Sequence, residues 1–378
     1  MVAKYIWVSF LSGCCGVSAV AQAVPAASTA ETAVPIQFEV MVTDKAGNPI
    51  SGLKQEDFKL TDNRQPVTIH SFTERKAGDG SSAVLVIVLD NLNADFTSVT
   101  TERLQLEKYL QQNGGKLANP VGVFVLDEGG LEELAPISAD GNALAGALHQ
   151  KKAETTMTRT SVGFYGAEER LNTSLQALST LGRHLNVDGR KVVVWFGPGW
   201  PVIDTSEAII GPEQQKYFYE TAADISRMLR EEQITIHSVS LVGSASGIGS
   251  TSTTISNAAG PNGAGSPTMI GSANGGNSGV VKVLPWEDFM KPLSKQNKAE
   301  PGYVALQVFA VHSGGTVVAG SNDVAKEITR CAQDATAWYS LTFDSQKANG
   351  PNTWHDVDVK INKPQAKVRT ENGYYAQP

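Results

Sequence analysis

The sequence predicts an α/β protein: a doubly wound, mostly parallel sheet inserted in a small β domain that both chain ends build. Three observations carry this. Ala83-Val84-Leu85-Val86-Ile87-Val88-Leu89 is apolar without alternation, so it reads as a strand covered on both faces, as in parallel sheets. From there to about residue 335, strand-like and helix-like segments alternate, the pattern of a doubly wound sheet. Before and after that stretch lie short segments that read as β. Neither group has enough strands to bury a face alone, so one domain made from both is the economical solution.

The first residues read as an export signal rather than as fold. Lys4 gives a positive start, an apolar stretch runs from Tyr5 to about Val20, and Ala21-Gln22-Ala23 is a small-x-small cleavage site. Residues 1–23 are thus a signal peptide and 24–35 a linker. A competing signal, Leu11-Ser12-Gly13-Cys14, resembles a bacterial lipobox and would leave Cys14 carrying lipid. That anchor is the chain's one route to a membrane, because no later apolar run approaches spanning length. Either route leads out of the cytoplasm, to the periplasm, the cell surface or the medium. Of the 3 cysteines, Cys14 and Cys15 lie in the signal, so Cys331 has no internal disulfide partner and reads as a small buried apolar residue. The formal charge of −7 and the lack of a basic cluster argue against nucleic acid.

Residues 36–81 form the first part of the β domain. Ile36 to Val42 alternates as a half-buried strand does, Asp44-Lys45-Ala46-Gly47-Asn48-Pro49 is a turn, and Phe58–Leu60 and Val67–Phe72 read as further strands. The α/β domain spans 82–335. Strand Ala83–Asp90 leads to a helix near Glu102–Gln112. Strand Val121–Leu126 turns through Asp127-Glu128-Gly129-Gly130 into Leu131–Ile137, a hairpin edge. Helices follow near Gly141–His149 and Glu168–Leu185, the latter with a stripe of Leu171, Leu175, Leu178, Leu181 and Leu185. Lys191–Phe196 is a buried strand ending in Gly197-Pro198-Gly199. A helix near Gln214–Glu231 precedes strand Ile234–Val242. A helix through Leu306–Val311, a short strand Thr316–Val318 and a helix Asn322–Ala335 complete the domain. Residues 336–378 return to β, with strands Trp338–Phe343, Trp354–Ile361 and Val368–Tyr375.

Residues 243–279 stand apart. They hold no charged and no aromatic residue and are rich in Gly, Ser, Thr, Ala and Asn, so they read as a flexible insert. The insert leaves the carboxyl end of a strand, on the edge where Asp90 ends its own strand. Open α/β sheets place ligands at that edge.

Enzyme chemistry finds no footing. None of the 6 histidines pairs with another at metal-ligand spacing, and His237 alternates inside a strand as a packed core residue does. Gly243-Ser244-Ala245-Ser246-Gly247 has Ala245 where a nucleophile elbow needs its nucleophile. No phosphate-binding loop ends in Gly-Lys-Ser/Thr. Asp127-Glu128 and Glu168-Glu169 read as turn and helix-end charges.

The segment from Val42 through Asp44-Lys45-Ala46-Gly47-Asn48-Pro49 and Glu56-Asp57-Phe58 to Thr61-Asp62-Asn63 resembles the N-terminal signature of the bacterial VWFA-related family, best known from acidobacteria. Ser313-Gly314-Gly315, Trp338-Tyr339-Ser340-Leu341-Thr342-Phe343, Trp354-His355-Asp356-Val357-Asp358 and Gly373-Tyr374-Tyr375-Ala376 extend the resemblance to the other end. It implies a von Willebrand factor type A (VWA) domain, a Rossmann-like fold, in an exported protein that binds rather than catalyses. It also implies a divalent cation, Mg or Mn, held by Asp-x-Ser-x-Ser at the end of the first strand. Here Asp90 is present, but Leu92 and Ala94 stand where the serines belong, and Pro198 stands where a third-loop acid belongs. Asn91, Asn93 and Asp95 are the other oxygen suppliers, and Thr155, Thr156, Thr158 and Thr160 compete for the threonine of the second loop, with Thr160 preferred. The surviving metal set is Asp90, Asn93 and Thr160, and the ligand-binding set is Asp90, Asn91, Asn93 and Asp95. With so degenerate a site, no cofactor is expected. The expected function is adhesion to a protein or envelope polymer through this edge; the alternative is a structural part of the cell envelope that works without metal.

Overall fold

The computed structural model describes residues 34–77, 83–151, 164–185, 187–200, 210–241, 286–348 and 350–377. The signal peptide, the second-loop threonines including Thr160, and the 243–279 insert lie outside the described residues.

Four strands open the chain: β1 (Pro35–Thr43), β2 (Phe58–Asp62), β3 (Gln65–Pro66) and β4 (Ile69–Lys76). The α/β part follows with β5 (Ala83–Asp90), α1 (Phe96–Leu110), β6 (Lys116–Asp127), β7 (Gly130–Asp140), α2 (Gly141–Gln150), α3 (Phe164–His184), β8 (Arg190–Phe196), α4 (Pro212–Glu231), β9 (Ile234–Ser240), α5 (Leu306–His312), β10 (Val317–Ala319) and α6 (Val324–Ala332). The chain closes with β11 (Ala337–Asp344), β12 (Thr353–Ile361), β13 (Lys367–Arg369) and β14 (Gly373–Ala376).

The central sheet has the order β10-β9-β8-β5-β6-β7. All its pairings are parallel except β6 with β7, an antiparallel hairpin at the edge. Every residue of β5 is buried, as its unbroken apolar run demands. Val84, Val86 and Val88 face the α3 and α4 side with Leu171, Leu175, Leu178, Trp195 and Ile225. Leu85, Ile87 and Leu89 face the α1, α2 and α6 side with Leu106, Leu110, Leu144, Val324 and Ile328. From β5 the chain goes to β6 on one side, and β8 later takes the other side. The order therefore reverses at β5, and the carboxyl end of β5 is where open sheets of this kind place a ligand crevice.

Helix starts differ from the sequence pattern where a cap decides them. Asp95 caps α1 by accepting from Ser98 N at 3.0 Å, so that helix begins at Phe96 and not near Glu102 as expected.

Both ends of the chain contribute to both flanking sheets. One has the order β13-β1-β11-β4 and the other β14-β12-β2-β3. Between them lies a shared core that includes Phe38, Val40, Phe58, Leu60, Tyr339, Leu341, Phe343, Val359 and Tyr374. The single strand expected over Val368–Tyr375 is two: β13 pairs with β1, and β14 pairs with β12 in the other sheet. Thr370-Glu371-Asn372 carries the chain across, with Val357 N donating to Asn372 O at 3.0 Å. Of the strand expected over Val67–Phe72, Val67 and Thr68 are the crossing from β3 to β4, and Ile69–Phe72 begin β4. Alternation of side chains cannot mark such crossings, because both strands point their apolar residues into the same core.

Candidate functional site

Three segments meet beyond the end of β5: the turn after β5, the first half of α3, and Gly197-Pro198-Gly199 after β8. Asp90 is fully buried where they meet. Its Oδ1 accepts from Asn93 N at 2.9 Å and from Asn93 Nδ2 at 3.1 Å. Its Oδ2 accepts from Asn93 Nδ2 at 3.0 Å and from the indole Nε1 of Trp195 at 3.1 Å. Asn93 Nδ2 also donates to Ser174 Oγ at 3.0 Å, which ties the turn to α3. Burial pushes the Asp90 carboxyl up to about 6, and these donors offset only part of that effect.

The other residues of the turn are used locally. Asn91 N and Leu92 N both donate to Leu126 O, at 2.9 and 3.1 Å, which fastens the turn to β6. Leu92 points into the core beside Trp195 and Trp200, and Ala94 is buried as well. The two positions where serines would present hydroxyls are thus packing positions. Asp95 spends both carboxylate oxygens on Ser98, at 3.0 Å to the backbone N and 2.6 Å to Oγ. Asn91 Oδ1 and Asn93 Oδ1 are buried without a hydrogen-bond partner among the described residues.

The loop after β8 comes close for a backbone reason. Gly197 has φ 144°, and a Cβ there would sit 2.8 Å from Asp90 Cβ. Pro198 brings no side-chain oxygen, and its carbonyl accepts from Gln307 Nε2 at 2.8 Å.

Sequence reasoning named Asp90, Asn91, Asn93 and Asp95, and the structure gathers them in one turn. It missed Trp195, which donates to Asp90, and Ser174, which accepts from Asn93. Ser174 had left a signal: it sits on the apolar stripe of α3, between Leu171 and Leu175. Two more missed groups flank the site. Glu102 on α1 is buried; burial first, then the charges of Asp90 and Asp95, hold its carboxyl well above the usual range. Arg170 on α3 is half-buried; burial lowers its pKa, against the opposing pull of Asp90 and Glu169.

The described residues around Asp90 do not by themselves fit a divalent cation. Such an ion needs several hard oxygens in one shell. Here both oxygens of the one carboxylate already accept N–H groups, Leu92, Ala94 and Pro198 offer no side-chain oxygen, Asp95 is engaged as a cap, and the unpartnered oxygens of the turn, Asn91 Oδ1 and Asn93 Oδ1, belong to neutral amides. Among the described residues no group of three or more His, Cys, Asp or Glu can hold a metal.

His237 is a partnered core residue. Its Nδ1 lies 2.9 Å from Thr316 Oγ1 and its Nε2 3.1 Å from Asp334 Oδ2. Asp334 also takes both ends of the Arg369 guanidinium, at 2.9 and 2.6 Å. Burial opposes the imidazolium, but Cys331 and Asp334 outweigh it and push His237 up to about 9. Cys331 is buried beside it.

No known family profile matches the chain, and no curated protein matches it. Among solved structures it is similar to the manganese-loaded TRAP protein of Plasmodium vivax, at 8% identity and a TM-score of 0.33 over 79% of this chain and 96% of that one. It is similar to the VWA domain of SpRpn10 at 10% identity and a TM-score of 0.28, over 66% of this chain and 94% of that one. A third likeness is to the pilus adhesin SpaC of Lactobacillus rhamnosus GG, at 8% identity and a TM-score of 0.35, over 89% of this chain but only 50% of the adhesin.

Proposed function

We propose that the protein is an exported, non-enzymatic binding module that engages a protein or surface polymer through the edge around Asp90. The observation that carries this is how the turn after β5 is held. Its acid is consumed by internal hydrogen bonds, so it is no free general base or nucleophile, while the turn stays rigid at the edge where such sheets bind ligands. Phe96, the first residue of α1, is 56% exposed at this edge and offers an apolar contact. Export rests on the signal-like residues 1–23, and with it a periplasmic, cell-surface or secreted location. Among the described residues no helix is long and apolar enough to cross a membrane.

The experiment is capture from a cell-envelope extract in EDTA and in Mn²⁺. Capture of one partner that survives EDTA and is lost in Phe96→Ser supports the reading. One observation favours the structural alternative: β4 is an outer strand of eight residues, paired only with β11 among the described residues, and such an edge can add a strand from another chain. Self-assembly that persists in Phe96→Ser and is lost when β4 carries a proline at Thr73 supports that alternative instead.

A further inference from the structure

The cation that a VWA resemblance implies has no fitting seat among the described residues, and the same residues show what stands in its place. Asn93 Nδ2 lies within hydrogen-bond distance of three acceptors: both Asp90 oxygens, at 3.1 and 3.0 Å, and Ser174 Oγ, at 3.0 Å. A primary amide carries two N–H groups. One can be shared by the carboxylate and the other given to the hydroxyl, so the amide joins β5 to α3 as a common ligand would. It brings no charge.

Charge is available one helical turn away. Arg170 precedes Ser174 by four residues on α3, about 6 Å along the axis toward the open edge. Its side chain is half-buried and makes no hydrogen bond and no ion pair among the described residues. Asp90 attracts it through space but has no oxygen to spare. Glu168 and Glu169 beside it are exposed, so water screens their pull on it. A guanidinium is a planar fork of N–H donors that matches a carboxylate in two parallel bonds.

We propose that the protein replaces the cation with its own side chains, Asn93 as the bridge and Arg170 as the charge, and that Arg170 takes a carboxylate of an acidic protein segment at this edge without metal. The proposal rests on reading this edge as the binding face. A protein segment is favoured over an anionic polysaccharide because Phe96 at the same edge calls for an apolar side chain next to the acid.

The test uses the full chain and immobilised poly-L-glutamate, with polygalacturonate as the comparison surface, in EDTA and in Mn²⁺. Poly-L-glutamate should bind equally in both. Arg170→Gln should weaken it about tenfold or more, the loss of a charge-assisted hydrogen-bonded pair. Arg170→Lys should restore part of the affinity, since the charge returns without the fork. Binding that needs Mn²⁺, an Arg170→Gln variant that binds as before, no binding to poly-L-glutamate, or tighter capture on polygalacturonate each overturns the proposal. Phe96→Ala separates the two levels. If it abolishes capture while Arg170→Gln does not, the edge is the binding face and the Arg170 assignment falls. If neither matters, the edge reading falls as well.

Discussion

Replacing Asp90 by asparagine turns the electrostatics of the site into a measurable stability. The carboxyl titrates at about 6 in the folded protein against a model-compound value of 3.8. Because the folded value is raised, the stabilisation from Asp90 is fully present below pH 3.8 and is lost as pH rises through 6. The difference of about 2 units corresponds to about 3 kcal/mol. Asparagine at 90 adds a cost of its own, about 1–3 kcal/mol, since its amide nitrogen meets a donor where an oxygen accepted. That cost does not vary with pH. The quantity to follow is therefore the stability of the wild type minus that of Asp90→Asn, from urea unfolding by circular dichroism, at steps between pH 4 and 7.5. It should shrink by about 2–3 kcal/mol across this series, most of it between pH 4 and 6, and level off above 6.

Two outcomes refute the reasoning. A difference that stays flat means that Asp90 is not desolvated as its burial demands, or that buried Glu102 carries the titration; repeating the series in Glu102→Gln separates those cases, because two coupled acids share their macroscopic steps. A difference that grows as pH rises means that the folded state prefers the ionised carboxylate. That is the behaviour of an acid bound to a cation, and if it appeared only with Mn²⁺ present the misfit argument would be wrong.

Other expectations test other parts of the molecule. His237→Gln should remove an alkaline dependence: the raised value of about 9 means that wild-type stabilisation is complete below 6.5 and fades as pH passes 9. The gap between wild type and variant should close by about 3 kcal/mol over that interval, and a constant gap would show that His237 is neutral in the fold. Mg²⁺ or Mn²⁺ at millimolar concentration should leave the melting temperature unchanged, because only a ligand that binds the native state stabilises it; a rise abolished in Asp90→Ala would contradict this. Deleting residues 338–378 removes β11, the partner of both β1 and β4, so residues 36–73 should become protease-sensitive or the protein should aggregate. Cooperative folding of an isolated 36–80 fragment would count against a shared core. Replacing residues 243–279 by a short Gly-Ser linker should change stability by less than about 1 kcal/mol, since closure entropy varies slowly with loop length; failure to fold would mean that the insert belongs to the core.

The sheet was legible because its signals are redundant. A strand buried on both faces must be apolar throughout, and β5 and β8 can be little else. The stripe on α3 likewise leaves one face to bury. Strand ends in the flanking sheets were less legible. The chain crosses from sheet to sheet at Thr370–Asn372 and at Val67-Thr68 without any change in the inward-facing pattern. The start of α1 was hidden for another reason: Phe96 is exposed, so its periodicity begins only at Val99, and the cap at Asp95 alone marks the boundary. Asp95 therefore read as an oxygen donor for a ligand when its oxygens belong to the helix.

The site shows why a residue's chemistry cannot be read from its own type. Asp90 looks like a metal ligand because an acid ends a buried strand at a switch point, and that inference is sound as far as it goes. What decides its role is the count of donors against acceptors around it. Asn93 N, Asn93 Nδ2 and Trp195 Nε1 all donate to two oxygens, and Gly197 lets the backbone close against the same carboxylate. A cation would have to displace these donors and leave them unsatisfied in a buried site, at a cost of about 1–3 kcal/mol each. Two of those three donors come from Asn93, three residues on in the sequence. The segment Asp90-Asn91-Leu92-Asn93-Ala94 thus offers no hydroxyl at 92 or 94, and its amide at 93 holds the carboxylate from within the turn. A serine at 92 or 94 alone would add an oxygen without freeing the carboxylate, because Asn93 would still hold Asp90.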